Sequence, residues 1–197
     1  VLDSAYKLSA TDSIKITALR FYISNIELMD NGKTVWKDAA VFRLMDIANE
    51  KSLMVTIPST ISFSKLKYNI GIDSTTNVSG ALGGDLDPTK GMYWTWQSGY
   101  INFKLEGTSN LCKTRHNEFQ YHLGGYQAPF NNLQTVFVND IPNKQIEIIL
   151  DIQKLMNQLN LSQQHHIMSP GQEAMDFSEK IINSFFRKHH RISVLQS

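Results

Sequence analysis

Six histidines and one aromatic block hold most of the metal-binding and ring-stacking chemistry in this chain. They are His116, His122, His165, His166, His189 and His190, and Met92-Tyr93-Trp94-Thr95-Trp96-Gln97-Ser98-Gly99-Tyr100. Neutral imidazole suits copper or zinc, but a metal site needs donors converging from several elements, and neither HxH nor HExxH spacing occurs. His122 stands apart because it sits in an alternating segment, on the face opposite Phe119 and Tyr121, just before Leu123-Gly124-Gly125. Without partners it reads as a hydrogen-bonded strand histidine on a polar surface. The pairs His165-His166 and His189-His190 read as solvated imidazoles that bind metal only opportunistically.

Trp94 and Trp96, two residues apart in a strand, project the same way and with Met92 make a large apolar wall, while Tyr93 projects to the other side. Core packing is the default for such a wall. The sharper alternatives are a stacking platform for a carbohydrate or other small ligand, using Tyr93, Trp94, Trp96 and Tyr100, or oxidisable indoles beside a metal. A third constellation, Gly83-Gly84-Asp85-Leu86-Asp87-Pro88, puts two carboxylates in a glycine-rich loop, where they could hold calcium or act as an acid/base pair. The EF-hand pattern is absent and no distant carboxylate pairs with either Asp, so turn-forming side chains are the simpler explanation. A hydrolase working through Asp85 or Asp87 lacks a nucleophile, and no GxSxG, P-loop or GxGxxG is present.

The elements that must position these residues are mostly strands, because from residue 13 to 150 the apolar period is two. Leu19, Phe21 and Ile23 alternate, then the phase jumps to Ile26 and Leu28, which marks a β-bulge near Ser24-Asn25 in one bent strand. Asp30-Asn31-Gly32-Lys33 supplies a tight hairpin turn. Strands are expected over residues 41–47, 53–57 and 65–73, followed by a long loop over 75–91. One strand with a bulge at Ser98-Gly99 is expected over 92–107, and further strands over 118–123, 135–138 and 145–150. Residues 151–159 have helical spacing. Ser169-Pro170-Gly171-Gln172 resembles a capping box that opens a helix with Ala174, Phe177, Ile181, Ile182 and Phe185 on one stripe and a cationic end at Arg187, Lys188 and Arg191. The expected fold is all-β, a two-sheet antiparallel β-sandwich with one or two C-terminal helices. Residues 1–151 form the sandwich and 152–197 a helical appendage on it.

The 197 residues carry 19 Lys+Arg against 18 Asp+Glu, and this near balance, with no dense basic run, disfavours nucleic acid as a partner. No apolar run approaches the roughly 20 residues of a spanning helix. The single Cys112 rules out an internal disulfide and an all-Cys zinc site. The chain begins at Val1 without a Met, so an upstream segment has been removed or omitted, which allows a signal peptide and export without showing them.

Three blocks in order, residues 19–28 (LRFYISNIEL), 83–100 (GGDLDPTKGMYWTWQSGY, continuing to 107) and 119–125 (FQYHLGG), resemble the MbnP-like family of exported proteins, named for a member encoded with methanobactin genes. The tail resembles the forms of Bacteroidetes-type bacteria. The resemblance implies a periplasmic or cell-surface β-sandwich that is not an enzyme. In some members it implies a mononuclear copper site of two His and a Trp-derived kynurenine, made with a dihaem cytochrome c peroxidase-like partner. His122 matches the His of the family's F-x-x-H-L-G block and is the expected copper ligand, with His116 as accessory candidate. Trp94 and Trp96 match the W-x-W-Q-x-G-Y block and are the candidates for oxidation or ligand stacking. Relatives often carry Asn-His before the Trp block, where this chain reads Asn77-Val78. They also usually begin with a strand upstream of Leu2, expected to carry the remaining ligand or the modified Trp.

Overall fold

A computed structural model of the chain describes residues 2, 4–58, 60–141 and 146–187. His189 and His190, with the expected cationic end at Lys188 and Arg191, lie outside the described residues. In chain order the elements are β1 (Ala5–Lys7), β2 (Ser13–Asp30), β3 (Lys33–Lys37), β4 (Phe42–Asp46), β5 (Lys65–Ile70) and α1 (Ser74–Val78). They continue with β6 (Tyr93–Trp94), β7 (Gly99–Ser109), β8 (Glu118–Gly124), β9 (Gln134–Val138), β10 (Ile148–Leu150), α2 (Ile152–Met156), β11 (His166–Ile167), α3 (Gln172–Ile182) and β12 (Phe185–Arg187).

The β class expected from the alternation is present, and the strands divide into one curled ten-stranded sheet and a two-stranded ribbon of β10 and β12. Strand β2 is the spine. Phe21 pairs with both Met45 of β4 and Phe103 of β7, and Ile23 pairs with both Arg43 of β4 and Ile70 of β5. Strand β4 therefore occupies one edge of β2, while β7 and β5 follow one another along the other edge. From that shared edge one arm continues through β8 to β11 and the second through β9. Pairing is antiparallel except that β11 runs parallel to β8.

The bend in β2 has the expected cause. Asn25 adopts φ +50°, and the register against β5 shifts between Ser24 and Glu27, so Ile23 and Ile26 turn to the same side. A second shift lies between Ile16 and Ala18 opposite β7, carrying the apolar phase from Ile14 and Ile16 to Leu19. Asn31 (φ +46°) and Gly32 (φ +75°) form the expected hairpin turn into β3.

Where β5 and β7 part, Asn102 holds the fork. Its Oδ1 accepts from the Ile72 amide at 3.0 Å, and its Nδ2 donates to the Asn132 carbonyl at 3.1 Å. Gly71 backs onto this side chain at φ +108°, and a Cβ there would come within 2.6 Å of Asn102 Cγ. The inner face carries Leu19, Phe103, Leu105, Phe119, Tyr121 and Leu123, covered by Leu155 and Met156 of α2 and by Ala174, Phe177 and Ile181 of α3. Burying Phe177 and Ile181 contributes about 2 kcal/mol each, which is why a helix of low mean hydropathy stays docked. On the opposite face Tyr22, Leu44, Ile72, Leu86, Met92, Trp94 and Tyr100 make a separate cluster under the 74–97 connection.

Several expectations change. Residues 53–57 form no strand: a 3-10 turn spans Glu50–Leu53, and Val55 and Ile57 then pack into the core with no sheet edge beside them. The 75–91 loop holds α1 and two 3-10 turns. The expected single strand over 92–107 is a hairpin, because Ser98 at φ +50° reverses the chain and pairs Tyr93 with Tyr100 and Trp94 with Gly99. The capping box does not form, since α3 starts at Gln172 after Gly171 with no side-chain cap. That helix ends at Ile182, so Phe185 and Arg187 belong to β12, where Phe185 pairs with Leu150. Cys112 is buried, which leaves no surface thiol for an intermolecular bond and pushes its pKa up.

Replacing Asn102 by Leu would strand the buried Ile72 amide and the Asn132 carbonyl. A loss of about 2–4 kcal/mol is expected, measured by urea denaturation, against a change under about 0.5 kcal/mol for the exposed Lys113→Ala.

Candidate functional site

His122 belongs to the outer row of the sheet because β8 alternates: Phe119, Tyr121 and Leu123 enter the core, so Gln120 and His122 face the other way. In register, His122 pairs with Lys104 and Gln120 with Glu106. The row is therefore polar yet sheltered, with His122 only 8% exposed. His122 Nε2 lies 2.6 Å from Glu106 Oε1, and Lys104 Nζ reaches the same oxygen at 3.4 Å. The bond from His122, aided by the Lys104 charge, holds the Glu106 carboxyl below the usual carboxylate range against the opposing effect of burial.

An ionised Glu106 is acceptor-only, so Nε2 is the nitrogen that donates to it, and in the neutral ring the lone pair is on Nδ1. Metal-binding histidines commonly have this arrangement, one nitrogen oriented by a carboxylate and the other free to coordinate. Among the described residues, no hydrogen bond to Nδ1 is present. Gly124, two residues beyond His122, packs against the Trp94 ring: a Cβ there would lie 2.6 Å from Trp94 Cζ3. Trp94 therefore covers the strand two residues beyond His122, and its buried Nε1 has no hydrogen-bond partner among the described residues.

The structure separates the two tryptophans. Trp94 is 5% exposed, whereas Trp96 sits in the hairpin turn at 67% exposure, with ring centroids 5.7 Å apart. Met92 and Trp94 share one buried cluster, as the expected wall requires, and the Trp96 ring touches Trp94 but stays exposed because chain reversal breaks the two-residue alternation. Tyr100 is buried, its hydroxyl accepting from the Leu82 amide at 2.9 Å, and Tyr93 packs edge-on against it. Of the four aromatic candidates, only Trp96 offers an open ring face. Val78 is 72% exposed, while Asn77 is buried and binds the Tyr100 amide through Oδ1 at 2.8 Å.

His116 is exposed in the β7–β8 turn, and the strand from Glu118 to His122 alone spans about 13 Å, so the two imidazoles do not meet. His166, which reads from sequence as a solvated residue, is the better neighbour. It pairs with Gln120 across β11 and β8, which puts it on the face of His122 one strand over, roughly 8 Å away along the diagonal. The signal available in the sequence was the short His166-Ile167 alternation, too brief to be read as a strand. His165 is half-buried, and its carbonyl accepts from the Gln120 amide.

Asp85 and Asp87 are structurally occupied. Asp85 accepts from Lys90 Nζ at 2.6 Å and from the Leu44 amide at 3.1 Å; burial opposes its ionisation, but these partners and Arg43 outweigh it and lower its pKa. Asp87 caps a 3-10 turn through the Thr89 hydroxyl and amide, which lower its pKa in turn. No calcium cage is formed by them. Among the described residues, no group of three His, Cys, Asp or Glu converges to hold a metal. His122 fits as one copper ligand, and the described residues do not complete a copper centre around it.

The Glu106–His122 pair makes a pH-dependent contribution to stability. Because the Glu106 pKa is depressed on folding, the contribution is full above the unfolded carboxylate range and is lost as pH falls through the folded value. Glu106→Gln should cost about 1 kcal/mol at pH 7 in thermal denaturation, with the gap to wild type closing towards pH 3. A gap of constant size across that range would refute the assignment.

A family model described as MbnP matches residues 1–171. Among solved structures, MbnP from Methylosinus trichosporium is similar, with a TM-score of 0.56 at 16% identity over 79% of this chain and 72% of that one. Comparison with curated proteins finds no match.

Proposed function

The chain belongs to the MbnP family, and on that premise we propose that it is an exported, non-enzymatic copper-associated protein of the periplasm or cell surface, in which His122 is the resident ligand. The observation that carries this reading is the Glu106–His122 pair at 2.6 Å, which fixes the imidazole with Nδ1 as its free donor. His166, on the same face, is the second imidazole. A copper ion accepts few, borderline-soft ligands, and imidazoles on neighbouring strands present them from a rigid frame. Among the described residues, no helix is long and apolar enough to cross a membrane.

Modification of a tryptophan by a dihaem peroxidase-like partner belongs to the same reading. Trp96 is the ring that a docked partner reaches from outside, and Trp94 is the ring packed on Gly124, two residues along the strand from His122. The competing reading, a carbohydrate or small-ligand stacking surface, has less support because Trp94 and Tyr100 are buried and Tyr93 packs edge-on against Tyr100, which leaves Trp96 as the one exposed ring of the four.

Competition titration of the purified full-length protein with a chromophoric Cu(I) chelator tests the proposal. One copper per chain is expected. His122→Ala should weaken it at least about 100-fold, and Glu106→Gln or His166→Ala about 10-fold or more. Equal binding by wild type and His122→Ala, or none by either, would overturn the assignment.

A further inference from the structure

The inner face of the curled sheet lines an apolar cleft of about 630 Å³, open to solvent at one side and within the size range of small-molecule sites. Strand β2 supplies Phe21 and Ile23, β4 Met45, the ribbon Ile148 and Phe185, and β5 Tyr68. Its lip is the unpaired stretch after the Glu50–Leu53 turn, where Met54 is 68% exposed and Val55 half-buried. His122 lies on the opposite face of the sheet, so this space is separate from the candidate copper ligand.

Among the described residues, Tyr68 is the single titratable group in the lining. It is 3% exposed, and its hydroxyl has no hydrogen-bond partner among the described residues. The residue is buried, but its hydroxyl keeps accessible surface and is open to an incoming acceptor. Burial pushes its pKa up, so it is neutral and acts as a donor. The remaining walls are Ile, Leu, Val, Met and Phe with Thr56 at the lip, apolar surface that a ligand chain would cover.

We propose that this cavity binds a neutral, predominantly aliphatic small molecule carrying one oxygen that accepts from the Tyr68 hydroxyl. Charge excludes the alternatives. Among the described residues no cation lines the wall, so a fatty carboxylate would be buried there without a counter-ion, and a sugar would strand several hydroxyls against hydrocarbon. Met45 and Met54 give the walls the adaptability to accept chains of differing shape.

The test uses the full-length protein and the neutral fluorophore N-phenyl-1-naphthylamine, displaced by 1-octanol or by n-octane. Saturable binding of one fluorophore per chain is expected, lost in Val55→Trp, which plugs the lip. Leu53→Trp at the same lip serves if the first variant melts below wild type. In Tyr68→Phe the fluorophore should still bind, while displacement by 1-octanol weakens about 10-fold and displacement by n-octane is unchanged. Unsaturable binding, or binding undiminished by either lip variant, would place the probe elsewhere and overturn the site. Equal displacement by 1-octanol from wild type and Tyr68→Phe would overturn the role of the hydroxyl. Copper binding is expected to be unchanged in all three variants, so failure here is distinguishable from failure of the copper assignment.

Discussion

Everything in this fold depends on β2 serving two sheet arms along one edge. A strand can do this only if it bends where the first neighbour leaves and the second arrives, and the backbone polar groups exposed at the fork must find partners. The bend comes from Asn25, whose φ of +50° suits a short polar side chain better than a branched one. Asn102 supplies the partners, its amide bridging Ile72 of one arm and Asn132 beyond the other. Without that bridge two buried backbone groups would be unpaired at the point where the sheet has least redundancy.

The bend also decides which chemistry each face carries. Leu19, Phe21, Ile23 and Ile26 come to one side only because the register slips, and they line the inner space. The residues between them turn outward: Arg20 bonds Asp46 at 2.8 Å, and the same outer row continues through Lys104 and His122 to the β8–β11 edge. A polar row half-sheltered by its neighbours suits a fixed imidazole. The charges are close enough to orient His122 and few enough to leave Nδ1 unengaged.

Much of this was legible in advance. The bulge at Ser24-Asn25, the hairpin at Asn31-Gly32, the strand carrying His122 and the apolar stripe Ala174, Phe177 and Ile181 each rest on one local signal, a phase jump, a turn dipeptide or a period. The errors share a cause as well. Residues 53–57 alternate like a strand but meet no edge, and residues 92–107 alternate through a turn, since periodicity reports which side chains are buried and is silent on whether a backbone partner exists. The Trp94–Trp96 wall is only half buried for that reason, because four residues of hairpin keep the rings in contact but place one in the core and the other in water.

The amino-acid sequence alone therefore determined the β class, the bent spine, the burial phase of each long strand and the polar setting of His122. These follow from side-chain period and from backbone angles that few residues tolerate. Tertiary structure decided which strands share an edge, that Glu106 is the partner of His122, that His166 joins its face through a two-residue parallel strand, and that Tyr68 looks into a cavity. Those facts depend on contacts between residues far apart in the chain, and no local pattern encodes the register that brings them together.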